Sequence, residues 1–284
     1  MWKKRDILRT ASAIIVTLVG WGMIRLLFPT LDYFPPEVLV DKLERGWFVN
    51  AGVRKAAGLA YLTVALILMA VFFKAVQHRW PGKGGPKGLV FGAWLGVVWS
   101  FGFLCGWAFL GTTFRAELLN SVVDFIPLAV AGWLIGLAIG HDVPWSGYRM
   151  WKPWLAALLV ALGFTGVHML GTRLIANSIG SGADLLLIPK TALQVTLLFT
   201  LGIWVGLMYM LLRAALPFRN TWARVAFFSF GIFGSSWTWF NLFFIIEFTG
   251  VLPTILLVGL IGATGIFVGA MAYEVTVRRG LQVD

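Results

Sequence analysis

The chain has 284 residues, 59% of them hydrophobic and only 12% charged, with a mean hydropathy of +0.85 and a formal net charge of +11. That composition excludes a water-soluble globular domain and a disordered polyelectrolyte, and a single cysteine excludes an intramolecular disulfide. The basic excess is spread over the ends of apolar runs with no basic module of its own, which excludes nucleic acid as a partner and makes the charge a matter of membrane topology.

A hydrocarbon core of ~30 Å takes about 20 apolar residues at helical rise. Eight runs meet this length, at 7–28, 56–77, 89–111, 121–140, 154–175, 191–212, 224–247 and 252–275. They are continuous instead of alternating in ~10-residue segments, which predicts helices and not a barrel. The expected fold is all-α: a polytopic helical bundle forming one transmembrane domain over residues 1–284.

In chain order, the first span follows Lys3, Lys4 and Arg5 like a signal peptide. Its apolar stretch is too long for one and no small-x-small cleavage site follows, so it reads as a retained anchor. The connection from 29 to 55 contains VLVDKLERGWF, where Val38, Leu39, Leu43 and Trp47 line one side of a short amphipathic surface helix or, equally, belong to a surface turn. HRWPGKGGPKG at 78–88 reads as an exposed turn.

The third span carries Gly88, Gly92, Gly96, Gly102 and Gly106 within about 120° of arc at ~100° per residue. Such a stripe serves close helix packing, or a groove for a flat ligand such as a carotenoid or quinone. Trp94 falls on a different face, so its replacement is expected to be milder than that of Gly96. Cys105, in the same span, reads as a packing residue.

The fifth span holds His168, the one histidine well inside a span, in a stripe with Ala157, Ala161, Thr165 and Thr172. In the seventh, Gly231, Gly234, Ser235, Thr238 and Asn241 share about 120° of arc, with Trp237, Trp239 and Phe243 on the remainder. The small polar face is expected to point at other helices, and the aromatic one at lipid, pigment or another subunit.

Internal echoes link GWLIGLA at 132–138, GIWVGLMY at 202–209 and GIFVGAMAY at 265–273. A second echo links Leu110–Thr112, Asn120, Asp124 and Pro127 to Leu170–Thr172, Asn177, Asp184 and Pro189. The long outer connections all follow odd-numbered spans, so the chain reads as four hairpins of one orientation, with tandem units 1–88, 89–153, 154–223 and 224–284. The side holding the N-terminus carries the whole surplus of +11 and the opposite side is balanced. Both termini are therefore expected in the cytoplasm, in a plasma or inner membrane.

The candidate ligand-binding residues are His168, Ser235, Thr238, Asn241, Trp237 and Trp239. A Ser235/His168 pair would point to nucleophilic catalysis, but no nucleophile elbow accompanies it. Arg115, Asp124, Arg173, Asp184 and Glu247 gather near the outer helix ends, where they form a charged vestibule or plain salt bridges. With these span boundaries no Lys, Arg, Asp or Glu stands near a span centre, where ion-coupled carriers place one. Neither a metal-ligand set nor a phosphate-binding glycine loop occurs.

The expected function is a non-catalytic accessory or scaffold subunit of a membrane complex. It would pack against partner helices, membrane lipid or a hydrophobic ligand such as a pigment, or against a second copy. Bound lipid, carotenoid or quinone are the candidate cofactors. A small-molecule or lipid transporter or flippase is the alternative, and an intramembrane enzyme using His168 and Ser235 the second alternative.

Overall fold

The computed structural model describes residues 2–27, 44–145, 152–179 and 189–280. Asp184 and the Val38, Leu39 and Leu43 side of the expected surface helix lie outside the described residues. The described chain is all-helical apart from two isolated backbone bridges, and eight helices are long and apolar enough to cross a membrane. This is a multi-pass membrane protein. A helix is the form in which a spanning segment satisfies its own backbone N–H and C=O groups where no water can.

The chain divides into two compact units, Met1–Gly147 with Leu242–Val251, and Tyr148–Asn241 with Leu252–Asp284. The first contains α1 (Lys4–Leu27), α2 (Arg54–Val76), α3 (Gly84–Leu110) and α4 (Phe114–Ile139), with single helical turns at Trp47–Asn50 and Phe244–Glu247. The second contains α5 (Pro153–Ile179), α6 (Ala192–Leu212), α7 (221–241) and α8 (Leu252–Gly280).

In the first unit α3 and α4 run antiparallel with their backbones in contact. A Cβ added at Gly88 would overlap the carbonyl oxygen of Gly132, and one added at Gly132 would overlap that of Gly88. The seam continues through Gly84 against Gly136 and Gly140, and Gly92 against Leu128 and Gly132. In lipid, where apolar transfer gives no drive for association, this approach maximises dispersion contact. The expected stripe is thus a packing face, set against Gly132 and Gly136 of the first echo.

In the second unit Gly202 and Gly206 of α6 meet Ala161 and Ala157 of α5, and Gly265 and Gly269 of α8 meet Gly163, Phe164 and Val160 on another side of α5. The three sequence echoes therefore share one physical role, since two glycines four residues apart open a groove for a neighbouring backbone.

Helix α4 begins at Phe114, seven residues before the expected start of the fourth span. Apart from the exposed Arg115, the segment Phe114–Asn120 turns apolar side chains outward and polar ones toward the protein. Leu118, Leu119, Val122 and Ile126 are exposed, while Glu117, Asn120, Ser121 and Asp124 are buried. This inverted amphipathy belongs to a helix in lipid, and averaging along the sequence conceals it.

Other expectations are corrected. Trp94 is not on a tolerant face: it is 1% exposed, its ring 6.1 Å from Phe91, which stacks in turn near Phe73 of α2. So α3 is buried by glycine against α4 and by aromatic rings on another side. In the described part of the 29–55 connection, Arg45 pairs as an isolated bridge with Phe248 and helix begins at Trp47.

In α7 the stretch Phe227–Gly234 is π-helical. Its i→i+5 bonding widens the turn, so faces assigned at a constant angle per residue slip out of phase. Phe228, Phe233 and Trp237 are fully buried, not turned to lipid, and Gly231 and Ser235 are only partly buried.

Candidate functional site

The polar stripe of α4 meets α1 in the first unit. Arg25, in the last turn of α1, places Nη2 2.7 Å from Asp124 Oδ1 and donates from Nη1 to Asn120 Oδ1 at 3.2 Å. One turn earlier Trp21 donates from its indole Nε1 to the same Asp124 oxygen at 3.1 Å. Around them lie aromatic rings from three further segments. Trp99 of α3 stands 6.4 Å from Trp21 and 5.9 Å from Tyr61 of α2, and Phe243 stands 5.6 Å from Tyr61.

Asp124 is 5% exposed. Ten residues of α4 precede it and fifteen follow, which at ~1.5 Å rise puts it about 15 Å from the start of the helix. Its partner Arg25 stands in the last turn of α1, so the pair lies toward one end of that helix. Helix α4 carries Asp124 further from its own start than the expected span beginning at residue 121 did.

The other expected outer charges that are described make separate contacts or face outward. Glu247 pairs with Arg54 Nε at 2.6 Å, a contact distinct from the Asp124 pair, and Arg115 and Arg173 are exposed. The expected ligand residues of the seventh span turn largely inward or to their own backbone. Ser235 donates its hydroxyl to the Gly231 carbonyl, Asn241 donates from Nδ2 to the Trp237 carbonyl at 2.8 Å, and Thr238 fills the space a Cβ at Gly259 would need. Trp237 stacks near Phe233 and Phe240 inside the second unit, and Trp239 is partly exposed.

His168 is fully buried, 5.9 Å from the Phe164 ring, with Thr172 donating to its carbonyl at 2.6 Å. Hydrogen bonding of the Ser235 hydroxyl to a helix carbonyl is the ordinary behaviour of a serine in lipid and does not activate a nucleophile.

Sequence reading missed a second polar cluster of the first unit, around the connections 77–83 and 140–143. Lys87, 3% exposed, donates to the carbonyls of Gln77 and Trp80 at 2.8 Å each and of His141 at 2.5 Å. Gln77 Nε2 stands 3.0 Å from His78 Nε2 and 3.0 Å from His141 Nδ1, and the two imidazole rings are 4.5 Å apart. Asp142 accepts from the Gly84 N–H at 2.9 Å, capping α3 from a distant part of the chain.

Desolvation against this cluster, then the charges of His141, Lys74, Lys87 and the N-terminus, hold the His78 imidazole below its ordinary pKa. The cluster satisfies orphan carbonyls at helix ends and ties two connections together. Its only sequence signal was the pairing of glutamine and histidine at one helix end with histidine and aspartate at another. No family model, curated protein or solved structure matches this chain.

Proposed function

We propose that the chain is a carrier for a small charged solute or a lipid with a charged head, centred on Asp124 and Arg25. The observation that carries this is an ion pair enclosed between two helices that are each long and apolar enough to span a membrane. A buried pair gives little net stability over apolar residues of the same volume. Ionisable groups enclosed among membrane-spanning helices commonly mark substrate and ion pathways. Arg25 sits in the last turn of α1 and its side chain is 25% exposed, against 7% for Asp124. The cation is the movable member and the carboxylate the fixed one. A solute cation displacing Arg25 would meet Asp124 and the faces of Trp21, Tyr61 and Trp99, and a solute anion would meet the released guanidinium.

The positive-inside distribution supports both termini in the cytoplasm of a cell membrane and four hairpins of one orientation. A second reading, the accessory subunit, is favoured by the exposed leucine, valine and tryptophan side chains along α1 and α4, which suit partner helices as well as lipid.

The test is solute-evoked current or uptake in proteoliposomes of the purified chain, screened over organic cations, anions and zwitterions. Flux above protein-free vesicles that is lost in Asp124→Asn, with the variant folded and monodisperse, supports the carrier. Absence of flux, together with a stoichiometric partner chain in the natively purified protein, would replace it with the accessory-subunit reading.

A further inference from the structure

Within the second unit, the ends of α6, α7 and α8 meet at a buried carboxylate. Glu274 of α8 is 1% exposed and accepts from Tyr209 Oη at 2.5 Å, and from Arg213 Nε at 2.6 Å and Nη2 at 2.8 Å. Arg224 Nη2 lies 3.0 Å from its second oxygen. Two guanidiniums, always charged, thus share one acid, and among the described residues no second carboxylate pairs with either. The Nε of Arg224 is buried and has no hydrogen-bond partner among the described residues. Hydrocarbon offers no acceptor for it.

The same connection exposes Phe218, Arg219 and Trp222. An exposed indole and phenyl beside cations are the side chains that settle at the headgroup level of a bilayer.

We infer that this end of the second unit holds the phosphate of an anionic phospholipid, with Arg224 as the principal donor and Arg213 as the second. The phosphate supplies a negative charge for the surplus guanidinium at the exposed part of Arg224, and a shift of that side chain toward it would give the sealed Nε an acceptor as well. Glu274 fixes the two arginines in place and at the same time competes with the lipid for them. The inference is independent of the reading of Asp124.

The test places the full chain in nanodiscs of phosphatidylcholine, alone or in equal parts with phosphatidylglycerol. Retained lipid is read by native mass spectrometry and the melting temperature by tryptophan fluorescence. The wild type is expected to retain phosphatidylglycerol and melt higher in its presence. Arg224→Gln should lower retention roughly tenfold, as expected for loss of a charge-assisted hydrogen bond. If that variant fails to fold, Arg224→Lys, which keeps the charge and loses the fork, should lower retention in the same direction.

Glu274→Gln separates a lipid site from a mere clasp. It should melt lower in phosphatidylcholine yet retain more phosphatidylglycerol, because both arginines are released to the phosphate. Three results would overturn the inference. Equal losses in Arg219→Gln and Arg224→Gln would mean diffuse attraction. An equal stabilisation by glycerol 3-phosphate in phosphatidylcholine nanodiscs would mean a soluble phosphate. No gain of phosphatidylglycerol in Glu274→Gln would mean a purely structural carboxylate.

Discussion

Replacing Gly88 by alanine tests the backbone seam on which the first unit is built. The added methyl would overlap the Gly132 carbonyl oxygen and lie 2.7 Å from Gly136 Cα and 2.8 Å from Gly136 N, well inside the ~3.5–4.0 Å of favourable contact. All three atoms are backbone of α4, so no side chain can turn aside and the helices must separate. Overpacking of this kind costs about 1–3 kcal/mol, set against about 0.5–1 kcal/mol gained by removing a helical glycine.

Gly22 of α1 is exposed and a Cβ there meets nothing within 4 Å, so Gly22→Ala keeps the gain without the clash. The two variants make the same chemical change and should differ by about 2 kcal/mol, roughly 30-fold in the unfolding equilibrium. Unfolding in mixed micelles of mild detergent and dodecyl sulfate, followed by tryptophan fluorescence, measures it. A Gly88→Ala protein as stable as Gly22→Ala would refute the claim that close backbone approach holds α3 to α4.

Trp94→Ala should cost about 3–5 kcal/mol in the same assay, because the ring is enclosed; a loss under about 1 kcal/mol would return Trp94 to a lipid-facing position. Stability should decline as pH falls from about 8 to about 5. His78 has a lowered pKa in the fold, so the unfolded chain takes up its proton first: the contribution is intact above the ordinary histidine value and is lost below it. His78→Asn should flatten that slope, and an unchanged slope would remove His78 as its cause. Ser235→Ala should leave any transport or host activity intact, since the hydroxyl is already spent on the Gly231 carbonyl, and loss of activity with normal abundance would revive the enzyme reading. Cysteines introduced at the exposed positions Lys83 and Thr113, over the buried Cys105, should be labelled from opposite sides of intact cells; labelling from one side would overturn the topology.

Features that depend on composition along a line were legible before any packing was known. Hydrophobic length gave eight helices, because backbone groups in lipid must pair within their own segment. The spacing of Gly88, Gly92, Gly132, Gly136, Gly202 and Gly206 marked packing faces, because residues four apart share a side of a helix. What those faces meet, and which charges they enclose, came from the packing of the helices. The burial of Asp124 stayed hidden because the apolar side chains of Phe114–Val122 alternate with polar ones, and a linear average cannot separate an outer face from an inner one. The π-helical turn of α7 moved Trp237 from an expected outer surface into the interior, since wheel angles hold only while the helical period is constant. Lys87, Gln77, His78 and His141 came together because helix ends leave carbonyls that need donors, and those donors come from connections far apart in sequence but adjacent in space.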